Sequence, residues 1–278
     1  MIRQATPPDL ALRLGALPAP PPVVEPRRSR RAAPAVDRLV REASSEDLWP
    51  APVPTFCYLA GAAGSGKTFA TKAWAERDRG LLLCATTGIA AINLGGETIN
   101  SILGFFDTAS LQEKFLTGFL TARLGKLWKC GVRRLILDEV SMLAADQLTY
   151  LVKAIEELNG RGYVLGKWAD TNWGGEEGTP PPEMGLTLVG DFLQLAPVKA
   201  SYAFESPEWG RFAPYVHTLT DSRRQADPDF IAMLGAARRG DGGVVAEYFV
   251  SRGGLQQETD DRYDGPTIVA KNESVDRY

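Results

Sequence analysis

Histidine is nearly missing from this chain of 278 residues: the single one, His217, sits in the strand-like run Tyr215-Val216-His217-Thr218-Leu219. Histidine-based zinc ligation and a serine–histidine triad are therefore poorly supplied, and a satisfied strand histidine is the expectation. Cysteine is scarce too. Cys57, Cys84 and Cys130 are odd in number and widely spaced, and two of them lie in apolar strand-like runs, so they read as reduced core thiols of a cytosolic-type compartment. No apolar run approaches the roughly 20 residues that cross a bilayer, and the N-terminus lacks a compact apolar segment with a cleavage site. Neither membrane insertion nor secretion is expected. An excess of positive charge is also lacking: the formal net charge of −3 excludes a uniformly basic coat and confines any nucleic-acid contact to a local groove.

What is present suffices for a buried core, with 44% hydrophobic residues in a length that holds one large α/β domain or two small ones. Residues 1–50 carry nine of the nineteen prolines and the basic run Arg27-Arg28-Ser29-Arg30-Arg31, with a short helix at Val36 to Ala43 as the only periodic stretch. They read as a disordered arm. A nucleic-acid tether, an organelle presequence and an unselected leader all remain open for it, with Asp9, Glu25 and the prolines against the presequence. From residue 55 onward, short apolar runs alternate with helical patterns: Phe56–Ala60, Leu81–Ala85, Leu135–Leu137, Leu186–Val189 and Thr267–Ala270. Buried parallel strands separated by helices give this rhythm. A helix is expected over Met142 to Leu158, and Asn159 to Glu183, rich in glycine and proline, reads as a surface insertion whose Trp168 and Trp173 could stack on bases.

After the first run comes Gly61-Ala62-Ala63-Gly64-Ser65-Gly66-Lys67-Thr68, then a helical pattern over Phe69 to Glu76. Glycine, four residues, glycine, lysine and threonine between a strand and a helix is the spacing of a phosphate-cradling loop. Successive backbone N–H groups turn inward on phosphate oxygens, the helix N-terminus adds partial positive charge, Lys67 reaches the β- and γ-phosphates, and the Thr68 hydroxyl holds Mg²⁺. The third run ends in Asp138-Glu139, where the first carboxylate can hold Mg²⁺ and the second can polarise the attacking water. The fourth run leads into Gly190-Asp191-Phe192-Leu193-Gln194, and the neutral amide of Gln194 can bond a γ-phosphate or the lytic water without repelling either.

Five ordered segments then carry a resemblance. Cys84 to Ala91 with Gly95 to Ser101, Asp138-Glu139-Val140-Ser141-Met142, Gly190 to Val198, Phe204-Glu205-Ser206 with Trp209, and Arg224-Gln225-Ala226-Asp227 with Phe230 resemble the motifs of superfamily one DNA helicases of the petite-integration-frequency (PIF) and RecD type, over residues 56–278. The resemblance implies an α/β fold of the P-loop NTPase class, a RecA-like, mostly parallel sheet flanked by helices, over residues 51–265, with ATP and Mg²⁺ as cofactors. It implies hydrolysis coupled to movement along single-stranded DNA and to unwinding of forked duplex, five-prime to three-prime, in replication, recombination or repair. Lys67, Glu139, Gln194 and Arg224 would be catalytic, with Gln194 coupling the γ-phosphate to the DNA groove and Arg224 serving as the arginine finger, a role for which Arg223 competes. Thr68 and Asp138 would hold the metal, and Thr86, Gly88, Thr98, Asn100 and Ser101 would meet the DNA backbone. Helix capping by Thr86 or Thr98 is compatible with that. The interval 105–134 is where the family carries its duplex-splitting wedge; the basic residues Arg123, Lys126, Lys129, Arg133 and Arg134 fit a solvated helix face and a DNA contact equally.

Three departures accompany the resemblance. The family's adenine-reading glutamine before the loop has no counterpart, since no glutamine lies between Gln4 and Gln112. Asn100 stands where many members carry histidine, and residues 266–278 look like the start of a second RecA-like domain that does not follow. The expectation is weak hydrolysis and poor unwinding by this polypeptide alone, with a separately encoded second domain as a partner. A helicase-like fragment that binds nucleotide or DNA without unwinding is the alternative. The expected location is cytoplasmic, with the nucleoid, nucleus or mitochondrion depending on the host.

Overall fold

A computed structural model of the chain describes residues 52–164, 182–220 and 224–252. The arm over 1–50, Trp168 and Trp173, Arg223, the run Thr267–Ala270 and residues 266–278 fall outside the described residues.

The apolar runs become strands: β1 (Phe56–Gly61), β2 (Leu81–Ala85), β4 (Arg134–Asp138) and β5 (Gly185–Gly190), joined by a two-residue β3 (Glu97–Thr98) and by β6 (Val216–Leu219). All pair in parallel in the order β3-β2-β4-β5-β1-β6. The expected α/β fold with a parallel sheet flanked by helices is what forms. His217 pairs with Leu59 in β6, as a strand histidine.

Side chains alternate across the sheet with period two. Phe56, Tyr58, Leu135, Leu137, Leu186 and Leu188 face the larger core, while Cys57, Leu59, Ile136 and Val189 face a smaller one with Trp74. The smaller face receives α1 (Lys67–Arg77), whose Trp74 is buried there. The larger face receives α4 (Thr108–Leu116), α5 (Phe119–Lys129) and α6 (Ala145–Val164), through Leu111, Leu120, Leu124, Trp128, Leu148, Leu151 and Ile155. Two short helices, α2 (Gly88–Leu94) and α3 (Ile99–Leu103), follow β2 and β3, each capped by a threonine: Thr87 Oγ1 accepts from Ala90 N at 3.3 Å and Thr98 Oγ1 from Ser101 N at 3.2 Å. The first cap is therefore Thr87, not Thr86. Two further helices, α7 (Pro228–Arg238) and α8 (Gly242–Ser251), pack on each other as a separate unit, with Phe230 against Tyr248 and Arg252 paired to Asp229.

Several expectations shift. The helix expected from Met142 begins at Ala145, because Val140–Met142 forms a 3₁₀ turn and Leu143 is extended. The loop expected from Asn159 begins later, since α6 runs to Val164; Asn159 is held by bonds to both backbone groups of Met184, at 3.1 and 2.9 Å. Cys57 and Cys84 are buried as core thiols, but Cys130 is exposed at the C-terminus of α5, where no sheet covers it. The basic segment does not form one face either. Arg123, Lys126 and Lys129 lie exposed on α5, Arg133 sits over the Trp128 ring at 4.5 Å, and Arg134 is in β4. Its guanidinium donates to the carbonyls of Val53, Pro54 and Thr55 and to Thr187 Oγ1 and Cys57 Sγ, clamping the entry to β1.

Candidate active site

In a parallel α/β sheet, ligands bind beyond the carboxyl ends of the strands where the strand order reverses. Here β1 and β2 are separated by β4 and β5, and the chain delivers its polar motifs to that edge: Gly61 from β1, Thr86 after β2, Asp138 from β4, and Asp191 after β5.

The loop after β1 has the backbone its glycines permit. Gly64 and Gly66 hold φ of 80° and 94°, the left-handed region that favours glycine, and a Cβ on Gly64 would stand 2.6 Å from Arg224 Cβ. Gly66 is the N-cap of α1 and supplies no side-chain hydrogen bond to the first turn of this 11-residue helix, whose N-terminus suits an anion. Ser65 Oγ is buried without a hydrogen-bond partner in the same loop. Lys67 folds back so that Nζ donates to the carbonyls of Gly61, at 2.6 Å, and Ala62, at 3.1 Å. An arriving phosphate would exchange those carbonyls for charged oxygens, which make stronger bonds to an ammonium.

The pair expected to hold the metal and the acid meet this loop directly. Thr68 Oγ1 donates to Asp138 Oδ2 at 3.0 Å, and Asp138 Oδ1 accepts from Glu139 N at 2.9 Å. This hydroxyl–carboxylate pair beside a phosphate loop is the hard-oxygen donor set that suits Mg²⁺, which otherwise keeps waters and phosphate oxygens. Glu139 adopts φ 58° and ψ 45°, left-handed for a non-glycine residue. Burial, then the Asp138 charge, push its carboxyl above the usual range; Lys67 opposes them and Asp191 adds to them.

The fourth segment is held from both sides. Asp191 Oδ1 accepts from Leu193 N at 3.2 Å and its carbonyl from Gln194 N at 3.0 Å, fixing the turn that carries Gln194. Phe192 is clamped by Tyr58, Phe204 and Trp209, with ring centroids 5.0–5.4 Å away. The Phe204-Glu205-Ser206 and Trp209 segment thus anchors the turn that presents Gln194. Neither Asp191 nor this clamp is given a role by the sequence pattern, because the burial of Asp191 and the ring contacts of Phe192 appear only in the fold.

A cavity of about 440 Å³ gathers Gly64, Gly66, Lys67, Thr68, Asp138, Glu139, Gln194 and Arg224, with Ala63 and Phe69. Every residue expected to be catalytic or metal-holding lines it, while Gly61, Ala62 and Ser65 complete the loop behind. The five residues expected at DNA do not line it. Gly88 opens α2 and Thr98 caps α3; Asn100 Nδ2 donates to Phe106 O at 3.4 Å and Ser101 Oγ to Glu97 at 3.0 Å. Thr86 turns inward: its hydroxyl donates to Glu139 O at 2.7 Å and its N–H to Asp138 O at 3.2 Å. A second groove of about 720 Å³ lies alongside, lined by Thr87, Ile89, Asn93, Leu193 and Leu195 among others, and it shares Glu139 and Gln194 with the first.

A family model described as PIF1-like helicase matches residues 50–230. The chain belongs to the PIF1-like helicase family. Within that family it is 35% identical over 204 residues to the ATP-dependent DNA helicase PIF7 of Trypanosoma brucei brucei, covering 66% of this chain and 18% of that protein. It is 30% identical over 193 residues to the ATP-dependent DNA helicase PIF1 of Homo sapiens, covering 66% of this chain and 27% of that protein. Among solved structures it is similar to the Pif1 helicase from Candida albicans, with 26% identity, a TM-score of 0.48, and coverage of 66% of this chain and 40% of that one. The PIF1-like chain described here therefore spans between 18% and 27% of the length of the two curated relatives.

Proposed function

We propose that this chain is the ATP-hydrolysing motor portion of a DNA helicase, in which hydrolysis is coupled to single-stranded DNA. The observation that carries the reading is the single cavity in which a phosphate loop, a Thr68–Asp138 pair, a carboxylate, an amide and a guanidinium converge. Lys67 and the loop amides bind the triphosphate. Thr68 and Asp138 would hold Mg²⁺, which when bound neutralises charge on the β- and γ-phosphates. Glu139 takes a proton from the attacking water, a task helped by a carboxyl pushed above its usual range and so more basic. Gln194 orients that water or the γ-phosphate, and Arg224 meets the charge that develops on the transferred group.

Coupling to DNA is supported by the neighbouring groove, because Gln194 and Glu139 belong to both cavities. The exposed apolar side chains Ile89, Leu193 and Leu195 can lie against bases without reading them, and the N-terminal ends of α2 and α3, with Gly88, Thr98, Asn100 and Ser101, can meet backbone phosphates. In the whole protein a second RecA-like domain would close over the same strand, and forked duplex would be the substrate.

The test is steady-state ATP hydrolysis with and without single-stranded oligonucleotide. Stimulation by DNA is expected, and Lys67→Ala should lower the rate by about 10²-fold or more through loss of its charge on the phosphates. Hydrolysis that survives Lys67→Ala would refute the site, and hydrolysis indifferent to DNA would refute the coupling.

A further inference from the structure

β5 ends on the buried Gly190, immediately before the turn that carries Asp191 and Gln194. A Cβ there would stand 2.9 Å from Val140 N and 2.9 Å from Val140 Cγ1, with Glu139 C at 3.6 Å. The first of these contacts is with backbone, so no change of rotamer could relieve it. A glycine within a strand often marks such a close approach of another main chain. Here the other main chain is the peptide that joins Glu139 to Val140.

That peptide is enclosed, because β4 lies between β2 and β5. From the β2 side Thr86 Oγ1 donates to Glu139 O at 2.7 Å, and within the 3₁₀ turn Met142 N donates to the same oxygen at 3.1 Å. From the β5 side the peptide meets Gly190, whose own carbonyl accepts from the Tyr58 hydroxyl at 3.3 Å. Val140 is fully buried, which fixes the far end of the peptide. A push on it is therefore taken up by Glu139, whose φ of 58° and ψ of 45° set the direction of its side chain.

We propose that Gly190 is a positioning residue for hydrolysis: by leaving room for the Glu139–Val140 peptide, it keeps the Glu139 carboxylate aimed at the attacking water. The inference rests on Glu139 being the base, as proposed above. Gly190 acts by packing, since neither it nor Val140 is among the residues that line the nucleotide cavity. The other path for a disturbance at Gly190 runs forward along the chain to Gln194, and double-mutant cycles separate the two.

Single-turnover hydrolysis and calorimetric ATP affinity of the full chain, with Mg²⁺, test this. Gly190→Ala should slow hydrolysis by about 10–10²-fold with affinity unchanged, the loss expected of a catalytic group misplaced by about 1 Å. The same loss should appear in a Gln194→Ala background and vanish in Glu139→Gln, where no carboxylate is left to aim. Val140→Ala empties the place of Cγ1; it should cost roughly threefold in rate by itself and return part of the rate to Gly190→Ala. Should Gly190→Ala fail to fold, the loss in Val140→Ala carries the test and must likewise vanish in Glu139→Gln. A full rate in Gly190→Ala, a fall in affinity as large as the fall in rate, a loss that persists in Glu139→Gln, or one that vanishes in Gln194→Ala would overturn the proposal. Failure of the underlying reading looks different: Glu139→Gln would then hydrolyse ATP at the original rate.

Discussion

Replacing Thr86 by valine removes one hydroxyl while keeping the shape of the side chain, and the consequence falls on Glu139. The Thr86 hydroxyl donates to Glu139 O at 2.7 Å, and the next peptide back is held by Thr86 N to Asp138 O at 3.2 Å. Glu139 needs such a hold because φ of 58° costs a residue with a Cβ roughly 1–2 kcal/mol. Losing the hydroxyl leaves the half-buried Glu139 carbonyl with one bond, from Met142 N at 3.1 Å, in place of two, at about 0.5–1.5 kcal/mol. That approaches the cost of the left-handed conformation, so the backbone of Glu139 is held in it less firmly. A catalytic group displaced by about 1 Å can lose about 10²-fold in rate. Because Thr86 does not line the nucleotide cavity, affinity for ATP should not change. Single-turnover hydrolysis, nucleotide affinity by calorimetry, and thermal unfolding separate these effects. The expected pattern is a hydrolysis step slowed by about 10–10²-fold, unchanged affinity, a melting temperature lower by about 2–4 °C per kcal/mol, and rescue by Thr86→Ser. A variant that melts lower but hydrolyses bound ATP at the original rate would show that the bond supports the fold alone and leaves the acid where it is.

Glu139→Gln should reduce hydrolysis by about 10²–10⁴-fold yet stabilise the fold at alkaline pH. Its carboxyl is pushed up, so the stability of its protonated form is present below the ordinary glutamate pKa and lost as pH rises through the raised one; melting scans should show the variant's advantage fading as pH falls. Arg134→Met should lower stability by about 2 kcal/mol, because the carbonyls of Val53 and Pro54 lose this donor, while Thr55 O keeps its bond from Leu186 N at 2.7 Å. Urea unfolding should show a lower midpoint with unchanged slope, and hydrolysis by the folded fraction should be intact. Gly64→Ala, which puts a Cβ at φ 80° and 2.6 Å from Arg224 Cβ, should weaken ATP binding at least about tenfold and lower the melting temperature by about 2–4 °C per kcal/mol of strain, as calorimetric titration and thermal unfolding would read.

The four long strands were legible because parallel strands covered on both faces are continuous apolar runs, and Leu81–Ala85 or Leu186–Val189 has no other easy reading. The two edge strands lack that signal, although the run Tyr215–Leu219 reads as strand-like around His217. β3 is two residues long, and β6 alternates between exposed and half-buried positions at the sheet's rim. The course of α6 was misjudged at both ends for physical reasons. A 3₁₀ turn inserted after the acids delays its start, and Asn159, read as a loop residue, instead bonds the backbone before β5 from within the helix.

The cavity was legible for a different reason. Its chemistry is concentrated in contiguous segments, with Gly61 to Thr68 supplying both backbone and side chains and Asp138-Glu139 adjacent in the chain. Residues that position those groups leave no such trace, because their partners are main-chain atoms far away in sequence. Thr86 was read as facing DNA, yet its acceptor is a carbonyl 53 residues on. The two readings are connected. Thr87 and Gly88 begin the helix that borders the second groove, so anything in that groove that moves the start of α2 also moves the hydroxyl that holds Glu139. On the proposed function, Gln194 would give the groove one route to the γ-phosphate and Thr86 a second, to the acid itself. If both routes operate, single-stranded DNA should still raise the hydrolysis rate of Gln194→Ala, and Thr86→Val should lose part of that stimulation while Gln194 is intact. A Gln194→Ala variant with no DNA response at all would leave the amide as the only link between the two cavities.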